Sequence, residues 1–227
     1  MRRHLIIVCG TGTGVGKTHV TETLLRGWGR TALVCGLKPI ESGVPAGSEG
    51  DDSRRLRQAS TFHVKQSPPY VFEPPVSPHL AARQAGVTVD PVVVRDFVAA
   101  AAAGSGGAIV ELPGGLYTPV GVGLTNADLV GLLRPARVLL VAPNRIGVLH
   151  DIGAATRAAS ASGLAIDGII LSETDAPDES SPTNAAEVAV VTEARFLCTL
   201  PRGSAEDLAR APEIEDALKH LLRPLAP

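Results

Sequence analysis

A glycine-rich segment near the start of the chain has residue types and spacing that suit phosphate binding. It spans residues 10–18, with the sequence GTGTGVGKT, and follows an apolar run at residues 5–9. Glycines allow backbone N–H groups to turn toward anionic oxygens, and a helix that follows adds the partial positive charge of its N-terminus. Lys17 can reach terminal phosphates, and the Thr18 hydroxyl can bind Mg²⁺. The segment therefore predicts a nucleoside triphosphate site.

The spacing of this segment departs from the general phosphate-loop template. The template has a glycine, four further residues and then Gly-Lys-Ser/Thr, but Thr11 occupies the position of its first glycine. Gly10 lies one residue farther away, so the loop is one residue longer. The dinucleotide-binding pattern GxGxxG also fails, because positions 15 and 17 are Val15 and Lys17.

Three more charged residues could act on a phosphate or a metal ion. Lys38 follows an apolar run, where a lysine can hold a phosphate or carboxylate or simply extend from a strand end. Glu111 ends another apolar run, a position where P-loop proteins usually place an acid that holds Mg²⁺, although a strand-end acid without that role is the alternative. Asp52 lies at the start of a predicted helix, so it is either a helix cap or a magnesium ligand.

The elements that must position these residues alternate along the chain. Six near-continuous apolar runs predict strands covered on both faces, at residues 5–9, 32–37, 108–112, 138–142, 166–171 and 195–200. Eight segments predict helices, at residues 17–28, 52–59, 78–85, 91–103, 127–133, 147–161, 184–191 and 205–222. This alternation predicts a single α/β domain over residues 1–227, P-loop NTPase-like, with a mainly parallel sheet and helices on both faces. Ligands should bind at the carboxyl ends of the strands.

Composition narrows the class of protein further. The chain has 227 residues, 44% of them hydrophobic but only 3% aromatic, which predicts one large domain with an aliphatic core. A net charge of −2 disfavours nucleic acid as a partner, and no apolar stretch approaches the length of a membrane span. The three cysteines are an odd number and have no metal-type spacing, which favours a reduced, cytoplasmic protein.

Four segments, in this order and spacing, resemble those of the dethiobiotin synthetase family. Residues 10–18 resemble its phosphate loop, including the extra residue, and residues 38–43 (KPIESG) resemble its Lys-Pro-x-x-Ser/Thr-Gly segment. Residues 75–82 (PVSPHLAA) resemble its proline-rich helix start, and residues 111–119 (ELPGGLYTP) resemble its Glu-Gly-Ala-Gly-Gly stretch. The agreement runs from residue 5 to about residue 172 and is weaker beyond.

The resemblance implies an enzyme that closes a cyclic urea on 7,8-diaminopelargonic acid with CO₂ and ATP, in the penultimate step of biotin synthesis. An amine captures CO₂ as a carbamate, and the carbamate oxygen attacks the γ-phosphate to give a carbamic–phosphoric anhydride. The second amine then attacks the carbonyl and expels phosphate. Mg²⁺ is implied as cofactor, and a homodimer is implied because the family binds the substrate carboxylate at a helix N-terminus of the neighbouring subunit.

The same resemblance implies four groups of site residues. The implied catalytic residues are Lys38, Lys17 and Thr13. The implied nucleotide contacts are Gly12, Gly14, Val15, Gly16, Lys17, Thr18, Ser172, Pro201 and, for the ribose, either Glu206 or its neighbour Ala205. The implied magnesium ligands are Thr18, Asp52 and Glu111. The implied substrate contacts are Thr13, Lys38, Ser42, Gly114, Gly147, Val148 and His150.

The chain departs from the family pattern at several of these positions. Ser172 replaces an asparagine that usually reads adenine, and a serine cannot make a bidentate amide contact. ATP is therefore the expected co-substrate, with CTP or broad nucleotide use left open. Pro113 removes one backbone donor beside Gly114, and His150 stands where asparagine is common.

A different class of protein shares the predicted fold, namely switch ATPases of the partition or septum-site type, which act through a protein partner. Such proteins carry a signature lysine five residues before the one at position 17, and Gly12 occupies that position here. The sequence therefore favours the synthetase over the switch.

Overall fold

The computed structural model describes residues 4–223, which form ten strands and nine helices. The strands are β1 (His4–Gly10), β2 (Val34–Leu37), β3 (Ile40–Ser42), β4 (Tyr70–Phe72), β5 (Gly107–Gly115), β6 (Pro119–Gly121), β7 (Leu124–Thr125), β8 (Arg137–Asn144), β9 (Gly168–Glu173) and β10 (Phe196–Leu200). The helices are α1 (Lys17–Trp28), α2 (Asp51–Ala59), α3 (Pro78–Gln84), α4 (Pro91–Ala103), α5 (Asn126–Leu133), α6 (Val148–Ala161), α7 (Asn184–Val191), α8 (Ala205–Leu208) and α9 (Pro212–Leu221).

Six strands form one parallel sheet in the order β10-β9-β8-β1-β5-β2. These are the six strands that the apolar runs predict, so the predicted α/β fold is confirmed. The order places β1 at the centre, between β8 and β5, with Val8 paired to Glu111. The loop after β1 and the end of β5 therefore meet at one edge of the sheet, where parallel α/β folds bind ligands.

The core is aliphatic on both faces of the sheet, as the composition predicts. On one face, Val20 and Leu24 of α1 pack with Leu218 of α9 against the strands. On the other face, Val94 of α4 and Leu129 of α5 belong to a second buried cluster. The sheet is thus covered on both sides by apolar side chains.

The helix predicted over residues 205–222 is wrong in its continuity, because two helices occupy this segment. α8 ends at Leu208, and α9 begins at Pro212. Proline lacks an N–H and disfavours helical backbone at the preceding residue, and Ala211 is accordingly extended, at φ −68° and ψ 140°. Within residues 4–223, no helix combines the length and apolar character needed to cross a bilayer.

The three cysteines are free and buried. Burial raises the pKa of Cys9 and of Cys198 to about 12 and raises that of Cys35 above its ordinary value. Because the thiolate is the nucleophile and metal ligand, these residues act as small core side chains rather than as chemical groups.

Candidate active site

The phosphate loop connects β1 to α1, and the backbone conformation of its last turn requires glycine. Gly14 and Gly16 have φ values of +72° and +91°, in the left-handed region that favours glycine. Gly16 is also the N-cap of α1, and a Cβ at this position would lie 2.2 Å from Ser172 Oγ. Both the backbone conformation and the lack of space therefore require glycine at position 16.

Two polar side chains of the first turn of α1 face the ligand end of the sheet. Lys17 is buried, and its Nζ donates to the carbonyl oxygen of Gly12 at 3.0 Å. Burial and the nearby Lys38 ammonium lower the pKa of Lys17. The Thr18 hydroxyl lies 2.8 Å from Asp52 Oδ1 and 3.0 Å from Glu111 Oε1.

Lys38 connects the same two carboxylates. Its Nζ lies 2.8 Å from Asp52 Oδ2 and 2.5 Å from Glu111 Oε1. Burial lowers the pKa of Lys38, but the Glu111 and Asp52 carboxylates outweigh burial and raise that pKa above its ordinary value. For Asp52, burial raises the pKa. The Lys38 ammonium and the hydrogen bonds from Lys38 and Thr18 outweigh burial, so the pKa of Asp52 lies below its ordinary value. We call Thr18, Lys38, Asp52 and Glu111 the carboxylate–lysine cluster.

The oxygen atoms of this cluster fit a magnesium ion. Glu111 is 0% exposed, and its Oε2 has no hydrogen-bond partner among the described residues. Mg²⁺ prefers hard oxygen ligands and is usually bound by one or two carboxylates together with phosphates and water. The cluster offers two carboxylates and a hydroxyl; no larger group of His, Cys, Asp or Glu within residues 4–223 is arranged to hold a metal.

A cavity of about 770 Å³ opens beside this cluster. Besides the cluster, its walls include most of the residues implied to bind substrate and phosphate: Thr13, Gly14, Gly16, Lys17, Ser42 and Gly114. Residues 75–78 of the proline-rich segment form another part of the wall. The fold thus brings together residues from four separate segments that the sequence analysis selected.

Three of the implied substrate residues lie elsewhere. Gly147 is the N-cap of α6 at φ +87°, and Val148 and His150 belong to the first turn of that helix. None of them lines the 770 Å³ cavity of their own chain. Their role in substrate binding remains a prediction, and it would require a second copy of the chain.

The residues implied to contact the base and ribose lie in different environments: one lines a cavity, one is buried and one is exposed. Pro201 lines a second cavity of about 280 Å³, and its carbonyl oxygen lies 3.0 Å from Nε2 of His19, which lines the first cavity. Ser172 is only 2% exposed and lies beneath Gly16, with no partner for its hydroxyl among the described residues. Glu206 is exposed and pairs with Arg26 at 2.7 Å. Base and ribose contacts from Ser172 and Glu206 therefore remain predictions.

The sequence analysis assigned no role to three charged residues of the cavity wall, namely Glu41, Arg55 and Arg202. Arg202 follows β10, at the carboxyl end of a strand where ligands are expected to bind, but no specific contact was predicted for it. Glu41 lies inside the KPIESG segment without an assigned role, and Arg55 pairs with Glu22 of α1 at 2.8 Å. Neither of these last two has a distinctive sequence signal.

Comparisons with known proteins give a matching family model and similar curated proteins. A protein-family model described as AAA domain matches residues 4–208. The ATP-dependent dethiobiotin synthetase BioD of Anaeromyxobacter dehalogenans (strain 2CP-C) is 38% identical over 200 residues, which cover 86% of this chain and 89% of that protein. The protein of the same name from Caulobacter sp. (strain K31) is 33% identical over 229 residues, covering 98% and 96%.

Solved structures with low sequence identity share the fold. A ParA family ATPase from Chlorobium tepidum TLS has a TM-score of 0.57 at 14% identity, covering 97% of this chain and 98% of that one. The septum site-determining protein MinD from Pyrococcus horikoshii OT3, complexed with Mg-ADP, has a TM-score of 0.57 at 18% identity, covering 97% and 95%. At such identities the likeness establishes the architecture alone.

Proposed function

Because this chain belongs to the dethiobiotin synthetase family, we propose that it uses ATP to close a cyclic urea on 7,8-diaminopelargonic acid with CO₂. Its relatives named ATP-dependent dethiobiotin synthetase are 33–38% identical over most of the chain. The observation that carries the proposal is the convergence of Lys17 and the carboxylate–lysine cluster on one cavity. These groups suit phosphoryl transfer, in which a protein acts mainly by positioning and by neutralising charge.

In the first part of the reaction, the chain holds the triphosphate and orients the carbamate. The N–H groups of the phosphate loop and the N-terminus of α1 bind the phosphates, and Lys17 exchanges the Gly12 carbonyl for a phosphate oxygen. Lys38 orients the carbamate and stabilises negative charge as the carbamate oxygen attacks the γ-phosphorus and ADP leaves. The product of this step is a carbamic–phosphoric anhydride.

In the second part, the free amine attacks the carbonyl of the anhydride and expels phosphate. The Ser42 hydroxyl donates to the carbonyl oxygen of Val76 at 2.8 Å, so its own oxygen is left to accept a hydrogen bond from a substrate amine. Thr13 and the backbone around Gly114 line the same cavity and complete the contacts to the substrate. Proximity of the free amine to the anhydride carbonyl then favours ring closure.

Mg²⁺ is the proposed cofactor, with Thr18, Asp52 and Glu111 as the residues that would hold it. When bound, it would neutralise charge on the phosphates of the nucleotide. The Oε2 of Glu111, which has no hydrogen-bond partner within residues 4–223, supports this assignment.

A homodimer in the cytoplasm is the proposed state of the protein. Gly147 lacks a side chain, so the first N–H groups of α6 receive no side-chain cap. Such an N-terminus suits a carboxylate, and Gly147, Val148 and His150 would present it to the substrate bound by the partner copy. In this arrangement the three residues would bind substrate in the partner copy, although they do not line the 770 Å³ cavity of their own chain.

We expect nucleotide turnover by the wild-type protein to depend on both the diamine and bicarbonate. Phosphate release and dethiobiotin formation should appear together when all substrates are present, because the carbamate is the group that attacks the nucleotide. Each should fall to background when either the diamine or bicarbonate is omitted. Robust phosphate release without the diamine would instead support a switch ATPase.

We also expect weak discrimination between ATP and CTP. Ser172 cannot make two amide hydrogen bonds to a base, and its hydroxyl is covered by Gly16. Competition between the two nucleotides for the enzyme should give binding constants within about tenfold, a difference of about 1.4 kcal/mol. Ser172→Ala should leave this ratio unchanged; a strong ATP preference in the wild type would place the base reader elsewhere.

A further inference from the structure

Helix α2 carries Asp52 but has no capping side chain of its own. It begins at Asp51, and its N-cap is Gly50, which makes no side-chain hydrogen bond. The first N–H groups of any α-helix lack partners inside the helix. A local N-cap side chain normally accepts from the second or third residue of the helix, which here are Asp52 and Ser53.

Glu41, which lies in β3 and not beside α2 in sequence, accepts these same hydrogen bonds. Its Oε1 accepts from the backbone N–H of Asp52 at 3.0 Å, and its Oε2 accepts from the backbone N–H of Ser53 at 3.2 Å. The Ser53 hydroxyl also donates to Oε2. Glu41 is only 6% exposed, so the cap is buried and well defined.

Gly50 provides the space for this carboxylate. Its backbone, at φ −64° and ψ 148°, is extended and open to any residue, so conformation does not require glycine here. A Cβ at Gly50, however, would lie 2.2 Å from the carboxyl carbon of Glu41 and 2.3 Å from its oxygens. Glycine at position 50 and glutamate at position 41 therefore form a matched pair.

This cap connects directly to the carboxylate–lysine cluster. The backbone N–H of Asp52 donates to the Glu41 carboxylate. The side chain of the same Asp52 contacts Thr18 and Lys38. Glu41 belongs to β3, which follows Lys38 after one residue. The segment of residues 38–41 thus supplies both the lysine of the cluster and the side chain that binds the backbone of Asp52.

We propose that Glu41 is a positioning residue, which caps α2 so that Asp52 is held ready to bind magnesium with the nucleotide. This inference rests on the proposed magnesium site. Its expected signature is a change in the dependence on Mg²⁺, because Glu41 accepts a hydrogen bond from the backbone of Asp52 and would act through that residue. Loss of a residue that supports a metal ligand typically weakens metal binding or activity about 10- to 100-fold.

The test measures binding of a fluorescent ATP analogue as Mg²⁺ is titrated, without the diamine or bicarbonate. Glu41→Ala should raise the Mg²⁺ concentration for half-maximal binding at least about tenfold, while binding without Mg²⁺ stays unchanged. Glu41→Ala combined with Gly50→Ser should restore this concentration to within about threefold of wild type, because a serine N-cap can accept from the same two N–H groups. A general structural defect would not be rescued in this way.

Glu49→Gln is the matched control. Glu49 also pairs with α2, through Arg57 at 2.8 and 2.9 Å, but this ion pair is exposed and does not contact Asp52. Its loss should leave the Mg²⁺ dependence as in wild type. Thermal unfolding of every variant confirms folding, and Glu41→Gln, which keeps one acceptor oxygen, replaces Glu41→Ala where the alanine variant does not fold.

Two results would overturn the inference: an unchanged Mg²⁺ titration in a folded Glu41 variant, or no rescue by Gly50→Ser. Because this readout omits the diamine, it is independent of whether the protein forms dethiobiotin. A shifted Mg²⁺ titration in a protein without diamine-dependent turnover would uphold the role of Glu41 and reject the proposed reaction.

Discussion

Lys38→Ala should abolish turnover while leaving nucleotide binding close to that of the wild type. The Lys38 ammonium is the cation placed between the two carboxylates at the cavity, and in the proposed reaction it stabilises charge on the carbamate and the transferring phosphoryl group. Removing one preorganised group of this kind lowers kcat about 100- to 1000-fold. The proposed phosphate contacts come mainly from Lys17 and the loop backbone, so affinity for the nucleotide should persist.

The same substitution should also destabilise the protein without ligand. Glu111 is fully buried, and Lys38 is the ammonium that lies 2.5 Å from its Oε1. Breaking a buried ion pair by removing one partner costs roughly 3–5 kcal/mol, because a charge is left without compensation in the interior. Thermal unfolding should show this loss, and nucleotide with Mg²⁺ should recover part of it by binding the folded state.

Two further variants separate charge from packing. Lys38→Met keeps the apolar stem and removes only the ammonium, so it should lose as much activity as the alanine variant. Lys219→Ala removes a lysine that pairs with Asp216 on the surface, 69% exposed, and should change neither activity nor stability by a measurable amount. Turnover by Lys38→Ala within about threefold of the wild type would refute the assigned role, since the expected loss is at least about 100-fold.

The central sheet could be predicted because its strands are buried on both faces. A run such as residues 138–142 is then apolar at every position, which a sequence displays directly. The ends of these strands were equally informative, because a charged residue such as Glu111 after an apolar run stands out. The break between α8 and α9 was also available in the sequence at Pro212, because proline disfavours the interior of a helix.

Contacts that depend on spatial packing could not be predicted in this way. The covering of Ser172 by Gly16 joins the phosphate loop to the end of β9, which are far apart in sequence, and nothing in the local pattern of either residue indicates it. The Glu41 cap of α2 has the same character, since Gly50 alone predicts only a flexible turn. The sequence therefore allowed several residues that line one cavity to be selected, whereas the contacts that fix their positions could not be predicted.

Gly16→Ala should abolish nucleotide binding, and a series of glycine variants can show why. Alanine at φ +91° is strained, which costs roughly 1–2 kcal/mol for a left-handed residue. In addition, its Cβ would lie 2.2 Å from Ser172 Oγ and 2.7 Å from Ser172 Cβ. Ser172 is in β9, paired to strands on both sides, so it cannot move away. The loop must shift instead, and its N–H groups then lose their alignment with the phosphates.

Gly14→Ala and Gly47→Ala are the matched controls. Both glycines have φ +72°, and a Cβ at either position would meet nothing within 4 Å. Both variants share the backbone strain of Gly16→Ala without its overlap, and only Gly14 lies in the phosphate loop. Gly47→Ala should bind nucleotide like the wild type with a small loss of stability, and Gly14→Ala should show at most a modest loss of affinity. Calorimetric titration of nucleotide into each variant measures these effects.

The double variant Gly16→Ala with Ser172→Gly separates the two contributions at position 16. Removing the Ser172 side chain relieves the overlap but leaves the strain of the positive φ unchanged. Affinity should therefore recover from a loss of at least about 100-fold, or about 2.7 kcal/mol, to the level of Gly14→Ala and no further. If Gly16→Ala alone binds nucleotide as well as Gly14→Ala does, then the contact with Ser172 does not fix the loop, and positive φ accounts for the requirement for glycine by itself.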